Sequence, residues 1–179
     1  MKQKSKLQKI SLQSKQPDSI NVVSLLLKDH EAMRKLMAQI KSKRSKPNKI
    51  FSAFKKLEKL VYSHMRAEES SLLYKIVKHP IFKGEATEGI EEHHIHEMVM
   101  RNVHRLKDKE RQITHIKIFC EFLEHHLDEE EEDLFPTFKK YTALSTQKKI
   151  GAAFMKKRKA TQPKSSKNLG ALAKVKSIK

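Results

Sequence analysis

His64 and Glu68 stand four residues apart, and so do His126 and Glu130. Four residues turn a helix by about 400°, so the members of each pair share a face. An imidazole nitrogen and a carboxylate oxygen one turn apart can hold a single metal ion or bridge to a second. Imidazole with carboxylate suits iron, and also manganese or zinc. Two such pairs predict two metal ions, with Glu68 and Glu130 between them as bridges.

Those pairs must be carried by helices, and the apolar spacing supplies them. Gly (4) and Pro (5) are scarce, so few breaks interrupt regular structure. Val23, Leu26, Leu27, His30, Met33, Met37 and Ile40 recur at three- and four-residue steps, predicting a first helix over about 20–42, capped by Asp18 or Ser19. A second, over about 49–77 with Asn48 as its cap, carries Ile50, Phe54, Leu57, Val61, His64, Glu68 and Leu72 on one stripe. A third, over about 86–108, carries Ile90, His93, Glu97 and Met100. A fourth, over about 110–135, carries Ile113, Ile116, Phe119, Cys120, Leu123, His126, Glu130 and Leu134, with Pro136 as its end or a kink. A shorter basic helix is expected over 138–158. Long helices with short connections predict an all-α, antiparallel up-down-up-down four-helix bundle.

His30, His64, Glu68, His93, His126 and Glu130 all fall on stripes that otherwise bury aliphatic residues. An unpartnered neutral polar group costs roughly 2–7 kcal/mol to bury, and a charge costs more. Six such residues over four helices call for a common partner. Counted from the turns, His30 and His64 lie at nearly the same height in one hairpin, and His93 and His126 in the other.

The two halves also repeat. Asp29-His30 corresponds to Glu92-His93, and His64-Met-Arg-Ala-Glu68-Glu69 to His126-Leu-Asp-Glu-Glu130-Glu131, at offsets of about 63 and 62 residues. These residues, with Leu134-Phe135-Pro136 after the second copy, resemble the haemerythrin-like, or HHE cation-binding, family over roughly residues 19–140. The resemblance implies a four-helix bundle holding two non-haem iron ions. Their ligands would be His30, His64, Glu68, His93, His126 and Glu130, with Glu68, Glu130 and an oxo or hydroxo group as bridges. Members of the family bind or sense oxygen, nitric oxide, peroxide or iron, which implies a binding or sensing protein rather than an enzyme. Oxygen carriers have His-x-x-x-His on the third helix, where this chain has His93 and Glu97, and an Asp five residues after the fourth-helix His. The chain therefore resembles the HHE branch, and Glu97 is an additional candidate ligand.

Other residues read more plainly. His94 and His96 flank His93 in registers turned away from the centre. Glu69 and Glu131 are either partners of the ligands or solvated acids. His79, His104, His115 and His125 read as structural or exposed, and Cys120 as a packing residue. No nucleophile elbow and no Gly-rich phosphate loop is present.

The net charge of +18 is unevenly placed. Residues 1–18 carry five Lys and one acid, and residues 148–179 carry eleven Lys/Arg and no acid, leaving +3 for the rest. Residues 1–18 read as a basic, disordered tail, 19–140 as the domain, and 141–179 as a basic helix and tail. Such termini suit non-specific contact with nucleic acid. One cysteine excludes an intrachain disulfide. No long apolar run follows the N-terminus, so neither a signal peptide nor a membrane span is expected, and the expected location is the cytoplasm.

Overall fold

The computed structural model describes residues 21–161, so the expectations for residues 1–18 and for the last residues of the chain lie outside the described region. The described residues are all-helical, with five long helices. α1 (Val22–Lys41) and α2 (Pro47–Glu68) pack as one hairpin, and α4 (Lys83–Arg105) and α5 (Lys109–Glu129) as another. α2 passes into a π-helical turn, π1 (Glu69–Leu73), and a short segment, α3 (Tyr74–Ile76). α5 passes into π2 (Glu130–Leu134) and α6 (Phe135–Tyr141). The fifth long helix is α7 (Leu144–Thr161).

Local chemistry sets these boundaries. α1 is capped by Asn21, whose side chain accepts from the Ser24 amide at 2.9 Å, rather than by Asp18 or Ser19. α2 opens with Pro47 in its first turn, where the missing N–H has no helical partner to lose, so Asn48 lies inside the helix rather than capping it. Asp108 caps α5, accepting from the Arg111 amide at 2.7 Å. The helix does not stop at Pro136. The wide turn of π2 precedes it and places the proline in the first turn of α6, where its missing N–H is tolerated.

The last helix also departs from expectation. It begins at Leu144, not 138, and it is a packed fifth element against α1, α2 and π1. Gln147, Ile150, Gly151 and Phe154 face inward, while Lys148, Lys149, Lys156, Lys157 and Lys159 face solvent.

Two apolar clusters flank a polar layer. One holds Met33, Met37, Phe54, Leu57, Phe119 and Leu123 on the side of the hairpin turns. The other holds Leu26, Leu72, Leu73, Phe135, Phe138 and Phe154. Each fully buried large side chain contributes on the order of 1.5–3 kcal/mol. Together they hold the polar layer between them away from water. No helix among the described residues is long and apolar enough to cross a membrane.

Candidate metal centre

Each of the four helices of the two hairpins delivers one histidine to the polar layer. His30, His64, His93 and His126 are all essentially buried. The rings pair by hairpin, His30 with His64 at 5.1 Å between centroids and His93 with His126 at 4.9 Å. Two carboxylates lie between the pairs. Glu130 places Oε2 3.3 Å from His30 Nε2 and Oε1 3.7 Å from His126 Nε2. Glu68 places Oε2 3.2 Å from His64 Nε2 and 3.9 Å from His93 Nε2. Two groups there could hold a metal ion: His30, His64 and Glu130, and His93, His126 and Glu130.

The outer nitrogens of the same rings are all engaged by carboxylates. His30 Nδ1 lies 2.8 Å from Glu131, and His64 Nδ1 3.4 Å from Asp29. His93 Nδ1 lies 3.2 Å from Glu69, and His126 Nδ1 2.7 Å from Glu92. An Nδ1–H that donates outward leaves Nε2 facing the centre, the arrangement that metal-binding imidazoles use. The acid before each early histidine (Asp29, Glu92) serves the later histidine of its own hairpin. The acid after each central glutamate (Glu69 after Glu68, Glu131 after Glu130) serves a histidine of the other hairpin. The π turns follow Glu68 and Glu130 directly, at equivalent places in both copies of the repeat.

Arginines hold three of these supporting carboxylates. Arg34 reaches Glu131 at 2.5 Å, Arg66 reaches Glu69 at 2.9 Å, and Arg158 of α7 reaches Asp29 at 2.5 Å. Phe154, one turn before Arg158, stands edge-on to the His64 ring at 5.9 Å.

The centre asks for a cation. Both oxygens of Glu68, both of Glu130, and Nε2 of His30 and His64 are buried and make no aligned hydrogen bond, although Glu68 and Glu130 each bring an oxygen within ion-pair distance of one of these nitrogens. His93 Nε2 and His126 Nε2 face each other at 3.2 Å. Without a cation, protons would have to balance the charge here. Burial opposes the charge on His64, but the Asp29 and Glu68 carboxylates outweigh it and raise its pKa to about 10. Burial and the neighbouring Glu68 push Glu130 up to about 8. Burial, then the charge of His64, takes His30 down to about 4. A cation among these groups would satisfy the orphaned atoms and replace those protons.

The six residues expected from the sequence thus come together. Glu97 does not join them: its carboxylate is held by Arg66, and it belongs to neither candidate group. His96 is buried behind His126, with ring centroids 5.2 Å apart, and burial lowers its pKa to about 3. His94 turns to Glu91 at 3.3 Å. The roles of Asp29 and Glu92 were not assigned from sequence, although the repeated acid–His pair was their visible signal. Arg158 gave no signal, because it lies outside the repeat.

A helical bundle with paired His and carboxylate groups in its interior defines a class of bundle metal-binding proteins. The Hemerythrin HHE cation binding domain matches residues 21–143, and the chain belongs to that family. No curated protein and no solved structure gives a significant match. α7 begins just past the matched region.

Proposed function

We propose that this chain is a di-iron protein that binds or senses a small oxidant or gas: oxygen, peroxide or nitric oxide. His30 and His64 would hold one ion, His93 and His126 the other, with Glu68 and Glu130 shared. The observation that carries this reading is the set of four buried carboxylate oxygens of Glu68 and Glu130, none in an aligned hydrogen bond, among four inward-facing imidazoles. Iron bound there supplies a ferrous/ferric couple and a coordination position for a small ligand. Manganese or zinc fits the same donors.

The protein's own residues orient and shield. Asp29, Glu69, Glu92 and Glu131 fix the imidazoles, and the flanking apolar clusters keep bulk water out. Glu97, held by Arg66, would not add a carboxylate on the His93 side.

Metal analysis and ultraviolet–visible spectra of the full chain, loaded anaerobically with ferrous ion and then exposed to air, test the proposal. About two irons per chain are expected, with ferric bands in the near ultraviolet. A His64→Ala, His126→Ala double variant should lose them. A wild-type chain that stays metal-free after ferrous loading would sink the reading.

The outward lysines of α7 support a second, separable activity, non-specific attraction to nucleic acid. Deleting residues 162–179 and neutralising those lysines should abolish retention on DNA at low salt without changing metal content. The helix itself must stay, because Phe154 and Arg158 pack on the centre.

A further inference from the structure

The four sides of the centre are not alike. Arginine stands over Asp29, Glu69 and Glu131. The fourth supporting carboxylate, Glu92, instead borders a small cavity between α4 and the α5–π2 junction. The cavity is about 50 Å³, and its lining holds six carboxylates and no cation: Glu85, Glu88, Glu92, Glu129, Glu130 and Asp133. At roughly 10–15 Å³ per water-sized site, this is room for a few waters or a partly hydrated divalent ion.

Its floor is the centre itself. Glu130, 4% exposed and with neither oxygen in an aligned hydrogen bond, lines the cavity. Gly89 lines it too, buried in the middle of α4. Glycine inside a helix costs about 1 kcal/mol relative to alanine. Here the missing side chain leaves space. A Cβ at Gly89 would stand 4.0 Å from both Glu130 Oε1 and His126 Cε1, and 3.8 Å from Leu73. A larger side chain would grow into the space between mouth and centre.

We propose that this acidic cavity is the portal through which divalent cations reach the centre, with Glu85, Glu88 and Asp133 gathering the ion and Gly89 keeping the way open to Glu130. The proposal rests on the metal-binding reading above. In a chain of net charge +18 the long-range field repels a cation, so a local negative mouth must supply the attraction. Glu85, Glu88 and Asp133 are exposed, and none supports an imidazole. They therefore govern the rate of arrival rather than the strength of holding.

The test mixes cobalt(II), whose visible bands report binding, with the metal-free full chain at low ionic strength. Four proteins are compared: wild type, Glu85→Gln/Glu88→Gln/Asp133→Asn, Gly89→Val, and a control, Glu31→Gln/Glu110→Gln/Glu121→Gln, that removes equal charge elsewhere. The portal triple should load about tenfold more slowly than the control, reach the same final cobalt content, and lose its disadvantage at high salt. Gly89→Val should also load slowly, and its helical circular dichroism checks its fold. A portal triple that loads as fast as the control would overturn the portal and leave the metal centre standing. So would a folded portal triple that loads at the normal rate but to a lower final content. A wild type that takes up no cobalt and no ferrous ion would overturn both.

Discussion

Glu131, on the second hairpin, accepts the Nδ1 proton of His30, on the first, across 2.8 Å. Glu69 makes the reciprocal contact to His93 at 3.2 Å. Each hairpin therefore supplies the brace for an imidazole of the other. Outer hydrogen bonds of this kind are worth about 10- to 100-fold in metal affinity. Glu131→Ala and Glu69→Ala should each weaken iron binding by about that factor, while Glu132→Ala, on an exposed neighbour, should not. Competition with a chelator of known affinity reads the difference.

Loading should release protons. His64 at about 10 and Glu130 at about 8 carry protons near neutrality in the metal-free chain. Both must give them up for Nε2 and the carboxylate to face a metal ion. Ferrous loading in weak buffer at about pH 7 should therefore acidify the solution. Apparent affinity should rise with pH and fall on acidification. In the metal-free chain, Glu130's folded pKa exceeds its ordinary value of 4.5. Its contribution to stability is thus fully present below 4.5 and is lost as pH rises through about 8. Proton counting with a pH dye, together with urea unfolding of the metal-free protein across this range, checks both signs.

α7 should tune one of the two candidate metal-binding groups more than the other. Its Arg158 pairs with Asp29, which in turn supports His64. Arg158→Ala should weaken the position held by His30 and His64 and leave that of His93 and His126 nearly unchanged. Stepwise titration of the metal-free chain should then resolve two affinities further apart than in wild type. A uniform loss at both positions would count against this account.

His104 and Glu58 form a pair remote from the centre, at 2.5 Å, with the Glu58 carboxylate buried and the imidazole partly exposed. The Glu58 hydrogen bond raises the His104 pKa above its ordinary value of 6.5. The pair's contribution to stability is therefore fully present below 6.5 and fades as pH rises through the raised value. His104→Ala leaves a buried carboxylate without that partner and should cost about 1–3 kcal/mol in mildly acid solution. The loss should shrink in alkaline solution, and iron content should not change. Urea denaturation at two pH values, beside metal analysis, measures this.

The sequence by itself determined the helices and the candidate site residues, because both depend on short-range periodicity. An i, i+4 pair such as His64 and Glu68 shares a face in any α-helix. A repeat displays the equivalence of His30 and His93 without any structure. Burial on an apolar stripe singled out Glu68 and Glu130 among many acids. Only the tertiary structure decided what touches what across helices. Glu131 could face His30 or solvent, since its own helix leaves both open. Glu97 kept its stripe position but met Arg66, a residue 31 positions away. Arg158 reached Asp29 only because α7 folds back over α1 and α2. Local spacing fixes the face a side chain takes. The partner it meets there depends on the packing of the whole bundle.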